Sequence, residues 1–356
     1  MAIAQTYNTL IDQIRQTLPV KRITRVRNLT WLMCGILWSH SVHLSKIANK
    51  MLGQAKRRSW TRRLSRFLHN RHVHVRKWYQ PIAEGLLQEA ARTTGEVRLI
   101  IDATKVTNSH QLLMVALAYR RRALPLVWTW MRCKKGHSSG QKQQALLDYV
   151  HRLMPTNVPV VVTGDSEFTP LQALLEKWGW YYVLRQKGSH LIRLHAQTAW
   201  QRVDSLVTRP GQHCWLEEVA LTRKHQHQTN FLAYWQPGYK DPWLLATNLP
   251  TMRATKHQYK RRMWIEEMFG DFKRHGFDLE KSRLQHFLPL SRLTLAVALL
   301  YVWLVSVGAT TIKRGDRHLV DRRDRRDLSI FRIGYDIFER FVLNGQPFSI
   351  RPCPYF

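Results

Sequence analysis

Acidic residues are scarce in this 356-residue sequence. It carries 24 Asp and Glu against 56 Lys and Arg, which gives a formal net charge of +32 at pH 7. A chain with such an excess repels itself unless an anion neutralises it, so we expect an anionic partner. Nucleic acid is the leading candidate, and an acidic membrane surface is the alternative.

Cysteine is also scarce. The four cysteines, at positions 34, 133, 214 and 353, are far apart and form no C-x-x-C pair, which argues against zinc-ribbon and thioredoxin-like chemistry. Dispersed cysteines are typical of a reducing compartment, so we expect a cytoplasmic protein. Two histidine clusters, at 69–74 and 225–227, lack the further partners of a structural zinc site and are interpreted as solvated or phosphate-facing.

Three other features are missing. The N-terminus has no basic segment followed by an apolar stretch, so we expect no signal peptide. The most apolar run, Leu293 to Val307, has 15 residues, whereas a membrane span needs about 20, so we interpret it as a buried core helix. The basic segment 134–140 does not match the G-x4-G-K-[ST] pattern, which argues against an ATP-driven motor.

Residues 1–95 are the most basic region, with 17 Lys and Arg against 3 Asp and Glu. Apolar residues at three- and four-residue spacing predict several helices, the last one bent or broken at Pro81. A short helix, a turn and a helix carrying Arg62, Arg63 and Arg66 is the arrangement of helix-turn-helix DNA readers. The alternative is an ordinary helical bundle with a solvated basic face. We predict an all-helical domain that contacts DNA.

Residues 96–190 alternate between strand and helix patterns. Apolar, β-branched runs predict strands at 97–101, 112–119, 123–131, 158–162 and 180–184, and helices at 140–153 and 168–178. Three meandering strands followed by helix, strand, helix and strand is the order of a ribonuclease-H-like fold, an α/β fold with helices on the faces of a mixed sheet. We predict this fold for the catalytic core.

The remaining chain divides into three parts. Turns and short strand-like pieces predict a β-rich insertion at 191–250. A polar helix and the apolar run, 251–310, complete the core. The charged tail, 311–356, ends in a short helix for which we expect dimer contacts. The insertion contains tryptophans at 200, 215, 235 and 243, which are either core residues or platforms for unpaired bases.

Two aspartates lie just past predicted strands. Asp102 follows the run 97–101, and Asp165 follows 158–162. In open α/β sheets, binding and catalytic sites usually lie at the carboxyl ends of the strands. An aspartate after a buried strand is also a common turn or cap residue, so neither aspartate alone indicates a function.

A third acidic residue belongs to a regular pattern. Tyr259, Arg262, Glu266 and Lys273 are spaced by three, four and seven residues, which would place all four on one face of a helix. A salt pair between Arg262 and Glu266 would explain only two of them.

The spacing Y-x2-R-x3-E-x6-K resembles the signature of bacterial insertion-sequence transposases of the DDE class. The chain is similar to that family nearly end to end, with a basic helical N-terminus, aspartates in the contexts IIDATKV and VVTGDSEF, and a β insertion before the signature. The resemblance implies that the catalytic, metal-ligating triad is Asp102, Asp165 and Glu266. It also implies that the contacts to terminal phosphates of the transposon strand are Tyr259, Arg262 and Lys273.

The resemblance implies two-metal chemistry at these residues. Two Mg²⁺ ions, with Mn²⁺ as a substitute, would activate the attacking oxygen and stabilise the leaving one, and Mg²⁺ prefers carboxylate ligands. We expect Asp102 to bridge the ions while Asp165 and Glu266 each complete one side. Spacing favours Glu266 over the adjacent Glu267. Water would free a 3′-hydroxyl, which then attacks the next phosphate.

The implied activity is cut-and-paste DNA transposition. The implied partners are double-stranded DNA, as transposon ends and as target, and a second copy of the chain in a homodimeric synaptic complex. We expect a nucleoid-associated bacterial protein that binds no membrane. Two alternatives stay open: a non-catalytic DNA-binding protein or repressor on the same scaffold, and a nuclease without strand transfer.

Overall fold

A computed structural model describes residues 2–132, 138–194, 198–224, 226–346 and 348–356. Cys133, segment 134–137 and His225, which entered the arguments above, lie outside these ranges. The cysteines that are described, Cys34, Cys214 and Cys353, are free thiols.

The fold is built on one mixed sheet. Its strands are β1 Val97–Lys105, β2 His110–Tyr119, β3 Arg122–Arg132, β4 Val160–Gly164, β5 Tyr181–Arg185, β6 Leu191–Arg193, β7 Gln201–Arg202, β8 His213–Leu221, β9 His227–Tyr234 and β10 Trp243–Thr247. In the described part of the chain these strands are continuous, in the order β3-β2-β1-β4-β5-β10-β9-β8-β6-β7.

The helices surround this sheet. They are α1 Ala2–Thr17, α2 Ile23–Ser39, α3 Leu44–Ala48, α4 Arg57–His69, α5 Val75–Thr94, α6 Gly140–Leu153, α7 Gln172–Lys177, α8 Met252–Lys260, α9 Met263–Phe272, α10 Phe287–Arg314 and α11 Ile330–Leu343. The first five form the predicted all-helical region. Pro81 lies inside α5, which continues to Thr94, so the predicted break there is wrong.

The first five strands have the chain order predicted for a ribonuclease-H-like core, and they form a mixed sheet. β1 pairs antiparallel with β2, and β2 with β3, whereas β1, β4 and β5 are parallel. Helices α6 and α7 lie between the parallel strands in the sequence. The β2–β3 hairpin turns through Arg120 and Arg121, both at positive φ, as in the two-residue turns that match strand twist.

The strands of the predicted insertion continue the core sheet. β10 pairs antiparallel with β5 on one side and with β9 on the other. β5 would otherwise end the sheet with unpaired backbone groups, and β10 satisfies them. The strands of the β-rich region therefore belong to the same sheet as the core strands.

The apolar run lies within α10 and is confirmed as a core helix. By length and composition α10 could cross a membrane, but 89% of its most apolar 18-residue window is buried inside the protein. Arg292 of α10 is buried and donates to the carbonyls of Leu68 and Val73. Because Leu68 lies in the last turn of α4, this side chain anchors the N-terminal helices to the core.

Helix α11 packs on α10 at a close crossing of two glycines. A Cβ on Gly334 would lie 1.8 Å from the Leu304 carbonyl oxygen, and one on Gly308 would lie 2.0 Å from that of Ile330. The apolar face of α11 is buried in this contact. That face therefore serves the fold of one chain and is not free for the predicted dimer contacts, which stay a prediction.

Candidate active site

The register of the parallel strands brings two of the predicted acidic residues together. Ile101 of β1 pairs with Gly164 of β4, and Asp102 and Asp165 are the next residues on these strands. β1 runs on to Lys105 against β2, so Asp102 lies within its strand rather than at the predicted end. Asp165 directly follows β4, which ends at Gly164, and caps the following 3-10 turn, where its Oδ1 accepts from the Ser166 amide.

Asp102 is the most buried of the predicted acidic residues. Its side chain is 12% exposed, against 37% for Asp165 and 44% for Glu266. Burial raises the pKa of Asp102 to about 7, although the Arg262 guanidinium and the Ala103 amide favour the ionised form. Any positive charge added near this buried carboxyl would stabilise its ionised form.

The signature segment is not one helix, as its spacing predicted, but two. Helix α8 ends at Lys260 and α9 begins at Met263. Between them the amide of Arg262 donates to the Tyr259 carbonyl and that of Trp264 to the Arg261 carbonyl. These bonds span three residues, so the backbone is overwound here. The tight turn directs the Arg262 side chain into the core.

Arg262 joins the three acidic residues. Its Nη2 donates to Glu266 Oε1 at 2.7 Å, and its Nη1 donates to Asp102 Oδ2 at 3.2 Å and lies 3.9 Å from Asp165 Oδ2. Burial would lower the pKa of Arg262, but its acidic neighbours outweigh burial and raise it. The residues predicted from three distant segments therefore surround one guanidinium.

A second buried ion pair holds the back of α9. Arg122 of β3 donates through Nε to Asp271 Oδ2 at 2.7 Å, and its Nη1 lies 3.2 Å from Glu267 Oε2. Burial raises the pKa of Asp271 to about 6, while Arg122 and the Tyr301 hydroxyl favour its ionised form. This cluster ties the signature helix to the sheet and takes Glu267 away from the triad.

Tyr259 lies beside the triad under an open cavity. Its ring is 3% exposed and packs edge-to-face on Trp243, with centroids 5.0 Å apart. Burial raises the pKa of Tyr259 to about 12. The Arg185 guanidinium lies close enough to the hydroxyl to favour its ionised form, but the hydroxyl makes no well-formed hydrogen bond to a described residue, which is uncommon for a buried phenol.

The cavity above Tyr259 has a volume of about 490 Å³ and adjoins Arg262. Among its lining residues are Arg185 from the end of β5, Lys260 from α8, and Tyr239 and Trp243 from the insertion. Cationic and aromatic side chains around one cavity fit a phosphate and a base. Of the four insertion tryptophans, Trp243 lines this cavity.

Lys273 does not line this cavity. It follows α9, and its Nζ donates to Thr104 Oγ1 at 2.7 Å and to the Lys105 carbonyl at 2.5 Å. Glu280 Oε1 lies 3.9 Å from the same nitrogen. Burial lowers the pKa of Lys273. The ammonium therefore links the end of the signature helix to the strand that carries Asp102.

The predicted DNA-contacting arginines of the N-terminal region are exposed on α4. Arg62 and Arg66 lie on its outer face. Arg63 is exposed too, but its Nε donates to Asn28 Oδ1 and its guanidinium lies 5.1 Å from the Trp60 ring centroid. The buried face, with Leu64 and Phe67, packs inward. The predicted basic surface is present, and DNA binding by it stays a prediction.

The acidic residues offer the ligand chemistry of a divalent metal. Carboxylate oxygens are the donors that Mg²⁺ and Mn²⁺ prefer, and Asp165 and Glu266 are open to solvent on one side. As they stand, no three His, Cys, Asp or Glu side chains among the described residues lie close enough to hold an ion. The three carboxylates are suitable ligands for such a metal, but the Arg262 guanidinium lies between them.

The part of the chain that carries this site matches a known protein family. A family model described as "Transposase DDE domain" matches residues 93–303, more than half of the chain. Among solved structures, the chain is similar to a piggyBac transposase, determined by cryo-EM as a synaptic complex with hairpin DNA. That match has 9% identity and a TM-score of 0.48 and covers 96% of this chain and 78% of the other. No curated protein matches the chain.

Several residues of the site carried no signal in the sequence. Arg122 and Asp271 are 149 residues apart, and Arg185 and Trp243 meet Tyr259 only because β10 pairs with β5. Nothing distinguished Trp243 from the other insertion tryptophans.

Proposed function

We propose, because the chain belongs to the DDE transposase family, that it binds the ends of a mobile DNA element and catalyses metal-dependent strand cleavage and strand transfer. One observation carries this proposal. Asp102, Asp165 and Glu266, separated along the chain by 63 and 101 residues, all approach one guanidinium within 4 Å. The guanidinium and Asp102 are both buried, so this cluster is not an ordinary exposed surface ion pair.

The three carboxylates would hold two Mg²⁺ ions, with Mn²⁺ as a substitute. Bound there, the ions would activate the attacking oxygen and stabilise the leaving oxygen of an in-line displacement at phosphorus. Asp102 is anchored by its strand and by the Ala103 amide, which fixes one carboxylate in place. Asp165 and Glu266 are more exposed and leave the substrate an approach from solvent.

The cavity beside the triad would receive the DNA strand. Arg262 presents a planar fork suited to phosphate oxygens, and the buried hydroxyl of Tyr259, next to Arg185, offers a donor from below. Arg185 and Lys260 add positive charge, and Trp243 offers a ring for stacking. Lys273 is considered separately below, because its ammonium is already bound within the chain.

The N-terminal region would supply further DNA affinity. Arg62, Arg63 and Arg66 of α4 are exposed on a region with few acidic residues. Each phosphate that they neutralise should make binding more sensitive to salt. Since two ends must be brought together for transfer to a target, we propose a homodimer on DNA. With DNA as substrate, we place the protein at the bacterial nucleoid in the cytoplasm.

The test is a reaction of the purified protein with duplexes that carry the DNA flanking its coding region. We expect Mg²⁺-dependent nicks and joined strands on a denaturing gel, and no products with Asp102→Asn, which should still bind the duplex. Nicks without joined strands would indicate a nuclease. Binding without any cleavage in Mg²⁺ or Mn²⁺ would indicate a DNA-binding protein or repressor and would refute the proposed activity.

A further inference from the structure

The centre of the acidic cluster is filled by a side chain of the protein itself. The Arg262 side chain is 10% exposed. Both of its terminal nitrogens contact carboxylates, and its Nε has no hydrogen-bond partner among the described residues. The acidic residues therefore supply the hydrogen bonds that hold the guanidinium in this position.

Carboxylates so close to one another need a cation. Three negative side chains at one point repel each other, most strongly around the buried Asp102. Arginine remains protonated in proteins, so its guanidinium offsets part of this charge as long as it lies between the carboxylates. A divalent ion would bind the same oxygens, and it cannot lie between them while a guanidinium is 2.7–3.9 Å away.

We propose that Arg262 is the resident counter-ion of the triad and that a divalent metal binds there only as the guanidinium withdraws. This inference rests on the proposed function, because it assumes that the three carboxylates are the metal ligands. On this view Arg262 competes with the metal for the carboxylates before Arg262 binds the DNA.

The withdrawn guanidinium has a place to go. Arg262 also lines the cavity of about 490 Å³ that it shares with Tyr259 and Arg185. A DNA phosphate in that cavity would provide the negative charge that Arg262 loses when a metal takes its carboxylates. Metal and DNA would then favour the same position of one side chain, so each would strengthen the binding of the other.

Metal affinity measured without DNA tests the inference. Mn²⁺ is titrated calorimetrically into the full-length wild type and into Arg262→Gln, Arg262→Lys and Arg261→Gln. Arg261 is the matched control, since its Nη1 donates to Gln258 Oε1 at 2.6 Å and, in the described residues, to no carboxylate. Asp102→Asn reports whether the binding is at the triad. Circular dichroism and melting temperature confirm that each variant is folded.

We expect Arg262→Gln to bind Mn²⁺ about tenfold more tightly than the wild type. One charge within about 4–6 Å shifts the pKa of a carboxyl by about 1 or more, which is a factor of about ten in affinity for a proton. Arg261→Gln should stay near the wild type, and Arg262→Lys should fall between. Equal tightening by Arg261→Gln and Arg262→Gln would show a general charge effect and overturn the inference.

Two further outcomes separate this inference from the function on which it rests. Wild-type binding that is lost in Asp102→Asn but not tightened in Arg262→Gln overturns the inference alone. Binding that is absent from every variant, or unchanged in Asp102→Asn, removes the metal site from the triad. That result overturns both the inference and the metal chemistry of the proposed function.

Discussion

Glu266 and Glu267 are neighbours in the sequence, but their carboxylates bind different arginines. Glu266 Oε1 accepts from Arg262 at 2.7 Å, within the triad. Glu267 Oε2 lies 3.2 Å from Arg122, which comes from β3 and also binds Asp271. The two adjacent acids therefore belong to two clusters, and the choice of Glu266 by spacing agrees with this geometry.

We expect Glu266→Gln to abolish Mg²⁺-dependent cleavage, because a neutral amide replaces a charged metal ligand. Glu267→Gln should retain activity within about tenfold of the wild type, since Glu267 is 55% exposed and such ion pairs contribute little. The measurement is single-turnover cleavage of an end-containing duplex, with binding followed separately. Loss of cleavage in Glu267→Gln, with full activity in Glu266→Gln, would reverse the assignment.

Much of the architecture could be predicted because its signals are local. Helix α6, predicted at 140–153, has those bounds in the structure. Alternation, apolar runs and turn residues act over a few residues, and they also indicated the order of the core strands. The same signals placed Asp102 and Asp165 just past two strands, and the structure shows that these strands are neighbours.

The remaining features depend on contacts between distant residues. Local pattern cannot show that β10 would join β5, so the insertion could not be recognised as part of the same sheet. The break at Arg261 and Arg262 contains no Gly or Pro. We attribute it to the contact of Arg262 with Asp102, 160 residues away along the chain, which no helical spacing encodes.

The buried Asp271 should make stability depend on pH. Burial raises its folded-state pKa to about 6, above the unfolded value near 4. Native protein therefore binds this proton more tightly, and the wild type loses stability as pH rises from about 4 to about 6. Asn cannot ionise, so the stability of Asp271→Asn relative to wild type should improve over that range, by on the order of 2–3 kcal/mol.

Chemical unfolding at pH 4, 5 and 6.5 measures this difference. The exposed Asp324→Asn variant is the control, and its difference from wild type should not follow the same course. If the Asp271→Asn difference is constant from pH 4 to 6.5, Asp271 does not carry the raised pKa.

The glycine crossing of α10 and α11 should tolerate no side chain. In Gly334→Ala the new Cβ would meet the Leu304 carbonyl at 1.8 Å, so the helices must separate. We expect a loss of about 2–3 kcal/mol or more and a lower melting temperature. Gly140→Ala is the matched control, because its Cβ would meet nothing within 4 Å and alanine favours a helix by up to about 1 kcal/mol. Equal melting temperatures for the two variants would contradict the close crossing.

Lys273 provides the test of a role that the resemblance implied. A phosphate contact predicts that Lys273→Met lowers the slope of log binding constant against log salt concentration by about 1. In the structure the ammonium binds Thr104 and the Lys105 carbonyl. We therefore expect an unchanged slope, a lower melting temperature and slower cleavage, because the strand carrying Asp102 loses its link to α9.

Lys260→Met is the comparison, because Lys260 is exposed and lines the cavity beside Arg262. Its removal should lower the salt slope by about 1 and leave the melting temperature unchanged. Binding to an end-containing duplex, measured from about 50 to 200 mM salt, separates the two effects. A reduced slope in Lys273→Met, with unchanged stability, would mean that the ammonium leaves Thr104 to bind DNA, and Lys273 would then be a phosphate contact as the signature implies.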